Sequence, residues 1–147
     1  MKVFIDADGC PVVDIVVSSA AAYGVGTVII ADTSHIIERG NAVTITVEKG
    51  ADSADFKIAN MVKPGDIVVT QDYGLAAMCL ARGAKSINQN GLIFTDGNIE
   101  KMLYTRYVSK EIRRAGGRTK GPKKRTREQD VDFERALNSL LEKSCTP

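Results

Sequence analysis

The chain has 147 residues, 44% hydrophobic but only 5% aromatic, which suits one domain with a largely aliphatic core. Its formal charge is +2, from 20 basic and 18 acidic side chains, with one histidine, three cysteines and no tryptophan. These counts exclude a histidine-rich metal centre and a framework in which every cysteine pairs internally, and no apolar run is long enough to span a membrane.

The opening Met1-Lys2-Val3-Phe4-Ile5 reads as strand and reaches Asp6 and Asp8 at once. It lacks the apolar stretch of a signal peptide, so a cytoplasmic location is expected. Residues 2–6 form the first expected strand, ending in the acidic turn Asp6-Ala7-Asp8-Gly9. Pro11 suits the first turn of a helix reaching Tyr23, with Gly24 as its stop. Residues 27–31 are all-apolar apart from Thr27, as in a strand covered on both faces of a parallel sheet. Residues 43–47 alternate β-branched side chains and give a third strand. Asp52-Ser53-Ala54-Asp55 can cap a helix to Met61. Pro64-Gly65 is a turn, residues 67–70 a fourth strand, and Gln71-Asp72-Tyr73-Gly74 leads into a helix over 75–81. Residues 84–87 give a short fifth strand.

After the turn Asn88-Gln89-Asn90-Gly91, residues 92–94 are briefly extended, and Asp96 or Asn98 can cap a helix to Arg114. Gly116-Gly117 ends it. Residues 118–127 show no apolar period and are expected to be mobile without a partner. A last amphipathic helix over about 130–142 carries Phe133, Leu137, Leu140 and Leu141. It is expected to pack back on the domain, a homodimer being the alternative use of its apolar face. Strands alternating with helices at this spacing predict a single α/β domain over 1–147, a three-layer sandwich with a mainly parallel sheet plus C-terminal helices. Its basic helix and flexible loop fall at about 98–129.

The near-neutral total conceals two halves. Residues 1–100 carry a net charge of −5 and residues 101–147 a net of +7. From Arg106 to Arg127 there are ten basic residues against one acid, Glu111. Charge of one sign in such a run can neutralise a phosphate backbone. The acids of the first half gather differently: Asp6 and Asp8 after the first strand, Asp32 after the second, Asp52 and Asp55 at the helix after the third, Asp72 after the fourth. In a parallel sheet with right-handed crossovers these positions share one edge. Carboxylates brought together repel, and a hard cation, Mg²⁺ or Mn²⁺, relieves that repulsion. Each aspartate also suits an ordinary turn or helix cap. Cys10, at a helix start where a thiolate is favoured, and His35 are weaker candidates. Tyr73, Tyr104 and Tyr107 suit base stacking or ordinary packing.

Several blocks carry a resemblance: Asp6-Ala7-Asp8-Gly9-Cys10-Pro11-Val12, Asp52-Ser53-Ala54-Asp55, and the run from Gly65 to Ala76. Asn98-Ile99, and Arg114 with Gly116-Gly117, Arg118 and Gly121-Pro122-Lys123, extend it. Along essentially its whole length the chain resembles the YaiI/YqxD family of small bacterial proteins. More distantly it resembles PIN-like nucleases, in which Asp6, Asp55 and Asp72 would match the acidic positions, with Asp8 and Asp52 as additional acids. That likeness implies strand order 3-2-1-4-5. It also implies a further acid after the fifth strand, for which Asn88, Asn90 and Asp96 are the candidates.

Taken together these features imply a divalent-metal-dependent, nuclease-like phosphodiesterase acting on RNA or single-stranded nucleic acid. Asp6, Asp8, Asp55 and Asp72 would hold metal and orient water, with Asp52 a further ligand. Arg113, Arg114, Arg118, Lys120, Lys123, Lys124, Arg125 and Arg127 would hold phosphates. RNA is preferred to DNA by family likeness alone. A non-catalytic nucleic-acid or ribosome-associated binding protein would use the same basic stretch. A small-molecule phosphate hydrolase built on Asp6-x-Asp8 is the third reading.

Overall fold

A computed structural model of the chain describes residues 1–32, 42–48, 53–116 and 124–145. β1 (Lys2–Asp6) is the hub. It is flanked by β2 (Gly26–Asp32) and β4 (Ile67–Val69), and the sheet is completed by β3 (Ala42–Val47), β5 (Lys85–Ile87) and β6 (Ile93–Phe94) in the order β3-β2-β1-β4-β5-β6. The first five strands are mutually parallel and β6 runs antiparallel to β5. The order expected for the first five strands is the order found, and the chain reverses its direction of winding between β1 and β4.

Period-two alternation sorts the sheet residues between two helical layers. Val3, Ile5 and Ile29 face α1 (Val13–Ala22) and α5 (Arg127–Cys145), packing with Val16, Ala20, Phe133, Leu137 and Leu141. Phe4, Val28 and Ile30 face the other way, onto Ile58 and Val62 at α2 (Ser53–Met61) and Leu75 and Cys79 of α3 (Tyr73–Ala81). The third core group, Ala76, Phe94 and Ile99, fastens α3 to β6 and the start of α4 (Asp96–Arg114). At the sheet edge remote from the carboxylate-rich turns, buried Asp66 accepts from the backbone N–H groups of Lys2 and Lys63 at 3.0 and 2.9 Å. It ties the start of β1 to the turn before β4.

Element starts differ from expectation by a few residues, each for a local reason. α1 begins at Val13, leaving Pro11 in the preceding turn. α3 begins at Tyr73, because the Asp72 carboxylate accepts from the Leu75 N–H at 3.1 Å and caps it. α4 is capped by Thr95 rather than Asp96 or Asn98. Thr95 Oγ1 accepts from the Asn98 N–H while Asn98 Oδ1 accepts from the Thr95 N–H, a reciprocal capping box. Thr126 and Gln129 make the same exchange ahead of α5, which starts before the expected Asp130.

Residues 88–92 turn the chain into β6. Gly91 sits there at φ +89°, and a Cβ on it would lie 2.8 Å from the Asp132 carbonyl oxygen and 3.2 Å from the Phe133 nitrogen. The α5 backbone therefore rests against the glycine. Gly91→Ala combines a disfavoured dihedral with a backbone clash, and is expected to cost about 3 kcal/mol, read as a fall in urea midpoint at unchanged m-value.

Candidate functional site

The acidic turns are built at the carboxyl ends of β1 and β4. The Ala7 N–H continues the ladder to the Ile30 carbonyl at 2.9 Å, and the Cys10 N–H closes the turn onto the Ala7 carbonyl at 3.0 Å. Gly9, at φ +72°, makes that turn possible. Because Ile5 pairs with Val69, Asp6 emerges beside Thr70. Thr70, 2% exposed, donates its hydroxyl to Asp6 Oδ2 at 2.9 Å and accepts from the Asp72 N–H at 3.0 Å. One hydroxyl thus sets the spacing of two carboxyl-bearing segments. The Asp32 N–H donates to both Asp8 oxygens at 3.3 Å, holding Asp8 toward the end of β2. Gln71 Nε2 donates to the Gly9 carbonyl at 3.0 Å and joins the two turns.

Asp6, Asp8 and Asp72 line one open pocket of about 460 Å³, with Gly9, Gln71 and Tyr73. Burial pushes the Asp6 carboxyl above its usual range. The Thr70 hydroxyl opposes that rise, and the charges of Asp72 and Asp8 add to it. Tyr73 meets Phe94 edge-on at 5.8 Å, anchoring its ring in the β6 cluster.

Asp55 stands in the first turn of α2 and is not among the residues lining the pocket; its charge acts on Cys79 of α3. Asp52 and His35 lie outside the described residues. Asn88 serves the turn by accepting from the N–H groups of Asn90 and Leu92. Burial, opposed by Arg82 and assisted by Asp55, pushes the Cys79 thiol up to about 12. Cys10 is also raised, by burial first, with its hydrogen bond at Val12 opposing and Asp6 adding to the rise. The thiolate anticipated at that helix start is therefore disfavoured.

Among the described residues no group of three or more His, Cys, Asp and Glu side chains is arranged to hold a metal ion. An all-protein cage is thus not built from them. The donor set does fit a cation that keeps most of its water. Mg²⁺ is ordinarily held through one or two carboxylates plus substrate phosphates, and the pocket offers oxygen donors alone.

The basic segment divides into two kinds of residue. Arg113 and Arg114 occupy the exposed last turn of α4, with Arg114 3.5 Å from Glu111. Lys124 and Arg127 are exposed, and Arg118, Lys120 and Lys123 lie outside the described residues. Arg125 differs. It donates through Nε to Asp130 at 2.8 Å, through one terminal nitrogen to Asn90 Oδ1 at 2.8 Å, and through the other to the Gln89 carbonyl at 2.7 Å. Placed with the phosphate-binding set by its sequence position, it fastens the entry to α5 onto the β5–β6 turn. A second pocket of about 370 Å³ results, lined by Gly9, Pro11, Gln71, Gln89, Asn90, Arg125 and Gln129. It shares Gly9 and Gln71 with the acidic one.

Residues 4–143 match the model of a family described as "Uncharacterized BCR, YaiI/YqxD family". The chain belongs to the YaiI/YqxD family. It is 56% identical over 141 residues to a UPF0178 protein of Exiguobacterium sibiricum, covering 96% of each chain. A UPF0178 protein of Ruminiclostridium cellulolyticum is 53% identical over 137 residues, covering 93% of this chain and 90% of its own. One from Enterococcus faecalis is 42% identical over 147 residues, covering 98% and 99%. No solved structure matches. Among the described residues of this YaiI/YqxD member, no helix is long and apolar enough to cross a membrane.

The family match takes in both acidic turns and the basic segment. Thr70, Gln71, Gln89 and Gln129 join the site without having been singled out as site residues. For Thr70, Gln71 and Gln89 the signal is positional, a side-chain amide or hydroxyl shortly after β4 or β5; Gln129, in the first turn of α5, carries no such signal.

Proposed function

We propose that this YaiI/YqxD member is a phosphodiesterase acting on single-stranded nucleic acid, RNA first, with Mg²⁺ or Mn²⁺ held at the acidic pocket. The observation that supports it is the placement of Asp6, Asp8 and Asp72 in one open pocket where strand order reverses, the usual ligand site of such sheets. Asp6 and Asp72 would hold the metal, Asp8 would orient water, and Asp55 and Asp52 stand as further acids on the PIN-like likeness. A bound divalent cation supplies a water of lowered pKa and neutralises charge on the phosphorus-bound oxygens. The chain's own residues do the rest. Thr70 keeps Asp6 turned toward Asp72, and Gln71 fixes the Gly9 turn against the pocket. Arg113, Arg114, Lys124 and Arg127, all exposed, would hold phosphates together with Arg118, Lys120 and Lys123. Tyr104 and Tyr107, 68% and 59% exposed on α4, add faces on which bases can stack.

A second reading is favoured by one specific observation. Asp6, Asp8 and Asp72 each already accept a protein donor, so the acids can serve as braces in a protein that binds nucleic acid without cutting it. Calorimetric titration with Mn²⁺ separates the two. The phosphodiesterase reading predicts saturable binding at millimolar concentration or below, lost in Asp72→Asn. Absence of binding in the unaltered chain leaves the non-catalytic reading.

A further inference from the structure

The pocket beside the acids has a composition that metal or phosphate chemistry does not call for. Four of its seven lining residues carry side-chain amides: Gln71, Gln89, Asn90 and Gln129. The hydrogen bonds of Gln71, Asn90 and Gln129 fix which end of each amide is committed. Gln71 uses Nε2 on the Gly9 carbonyl, leaving Oε1 as an acceptor. Asn90 gives Oδ1 to the Arg125 guanidinium, leaving its NH₂ as a donor. Gln129 gives Oε1 to the Thr126 N–H, likewise leaving an NH₂. Gln89 Oε1 is buried and has no hydrogen-bond partner, a costly state for an acceptor that a ligand N–H would relieve. Four residues with an uncommitted amide acceptor or donor therefore line one cavity, beside Pro11. At about 370 Å³ it lies within the usual range of about 300–1,000 Å³ for ligand pockets.

We infer that this pocket seats a nucleobase, read through its hydrogen-bonding edge by Gln71, Gln89, Asn90 and Gln129, so that the attached phosphodiester falls at Asp6, Asp8 and Asp72. The inference rests on the phosphodiesterase reading for its choice of a nucleic acid. Bases present mixed donor and acceptor edges, which the uncommitted ends of side-chain amides can meet singly. Gly9 and Gln71, common to both pockets, make the base seat and the acids one continuous site. Arg125 acts as a positioning residue here, because its bonds to Gln89 and Asn90 hold the turn that carries two of the four amides.

The test titrates the full chain with AMP, GMP, CMP and UMP against ribose 5-phosphate, followed by NMR. At least one nucleotide is expected to bind about tenfold more tightly than ribose 5-phosphate. Gln89→Leu should abolish that margin while leaving the ribose 5-phosphate affinity unchanged. Gln129→Glu is the second variant. It keeps the capping bond at Thr126 and removes the NH₂ donor, so it should narrow the same margin in a chain with its helix cap intact. Equal affinities throughout, a margin that survives both variants, or preferential binding of an asparagine-rich peptide would overturn the base seat. Cleavage of RNA without any base margin overturns the base seat and leaves the phosphodiesterase standing. A base margin without cleavage in Mn²⁺ supports the seat and overturns the phosphodiesterase.

Discussion

Replacing Asp6 by Asn is expected to give a protein that melts higher and cleaves less. The Asp6 carboxyl titrates near 3.8 when solvated and is raised in the folded chain, chiefly by burial. Between those two values the folded state binds more protons than the unfolded one, so the free energy of unfolding falls as pH rises through that window. Above it, ionised Asp6 costs stability. Asn carries no charge and keeps an oxygen to accept the Thr70 hydroxyl. The variant should therefore be more stable at neutral pH by about 1 kcal/mol, as is common when a functional acid is removed, a Tm rise of about 2–4 °C. The difference should vanish as pH falls through the folded value toward 3.8. Melting curves at several pH values check both sign and window. Mn²⁺ should raise the Tm of the unaltered chain and not that of the variant. The loss of cleavage should reach about 100-fold, the lower end for a positioned acid or base.

The second large effect concerns the basic segment and separates its residues by role. Changing Arg113, Arg114, Lys124 and Arg127 together to Ala removes four exposed charges at little cost in stability, since the Arg114–Glu111 pair is exposed. For a single strand each neutralised phosphate contributes about 0.7 to the slope of log K against log salt. The variant should lose affinity for single-stranded RNA and show a slope shallower by about 3. A slope unchanged from that of the parent chain would remove these residues from the interface. Arg125→Ala should behave oppositely. It deletes bonds to Asp130, Asn90 and the Gln89 carbonyl, so its primary effect is a destabilisation of about 2 kcal/mol. Urea melts beside the salt series distinguish the two variants.

The sheet is largely legible in the sequence because its signals are strong and local. Ile67-Val68-Val69, for example, is buried throughout and is followed by the polar residues Thr70-Gln71-Asp72. The last strand is harder to see. β6 is two residues long and gains its identity from the turn held by Asn88 and from α5 resting on Gly91, the latter a contact distant in sequence. Helix caps are misplaced where polar residues cluster. Thr95, Asp96 and Asn98 are all acceptable caps, and the reciprocity of Thr95 with Asn98 decides between them.

The acids at the ends of β1 and β4 can be placed from topology, since parallel strands deliver their carboxyl ends to one edge. Topology does not say which way an individual side chain is used. Asp55 begins a helix at that edge and acts on Cys79, outside the lining of the pocket that holds Asp6. Arg125 sits in a run of like charges beside Lys124; Asp130, five residues on, and the β5–β6 turn, some 35 residues earlier, commit it to a structural role.

The central claim, that the acids at the β1 and β4 ends serve phosphodiester cleavage, is tested most directly by one measurement. Single-stranded RNA is incubated with the full chain and with Asp6→Asn, purified side by side, in Mn²⁺ and in EDTA. The account predicts cleavage by the unaltered chain in Mn²⁺ alone, and its loss in the variant although the variant melts higher. Equal cleavage by both proteins, or none by either, contradicts it.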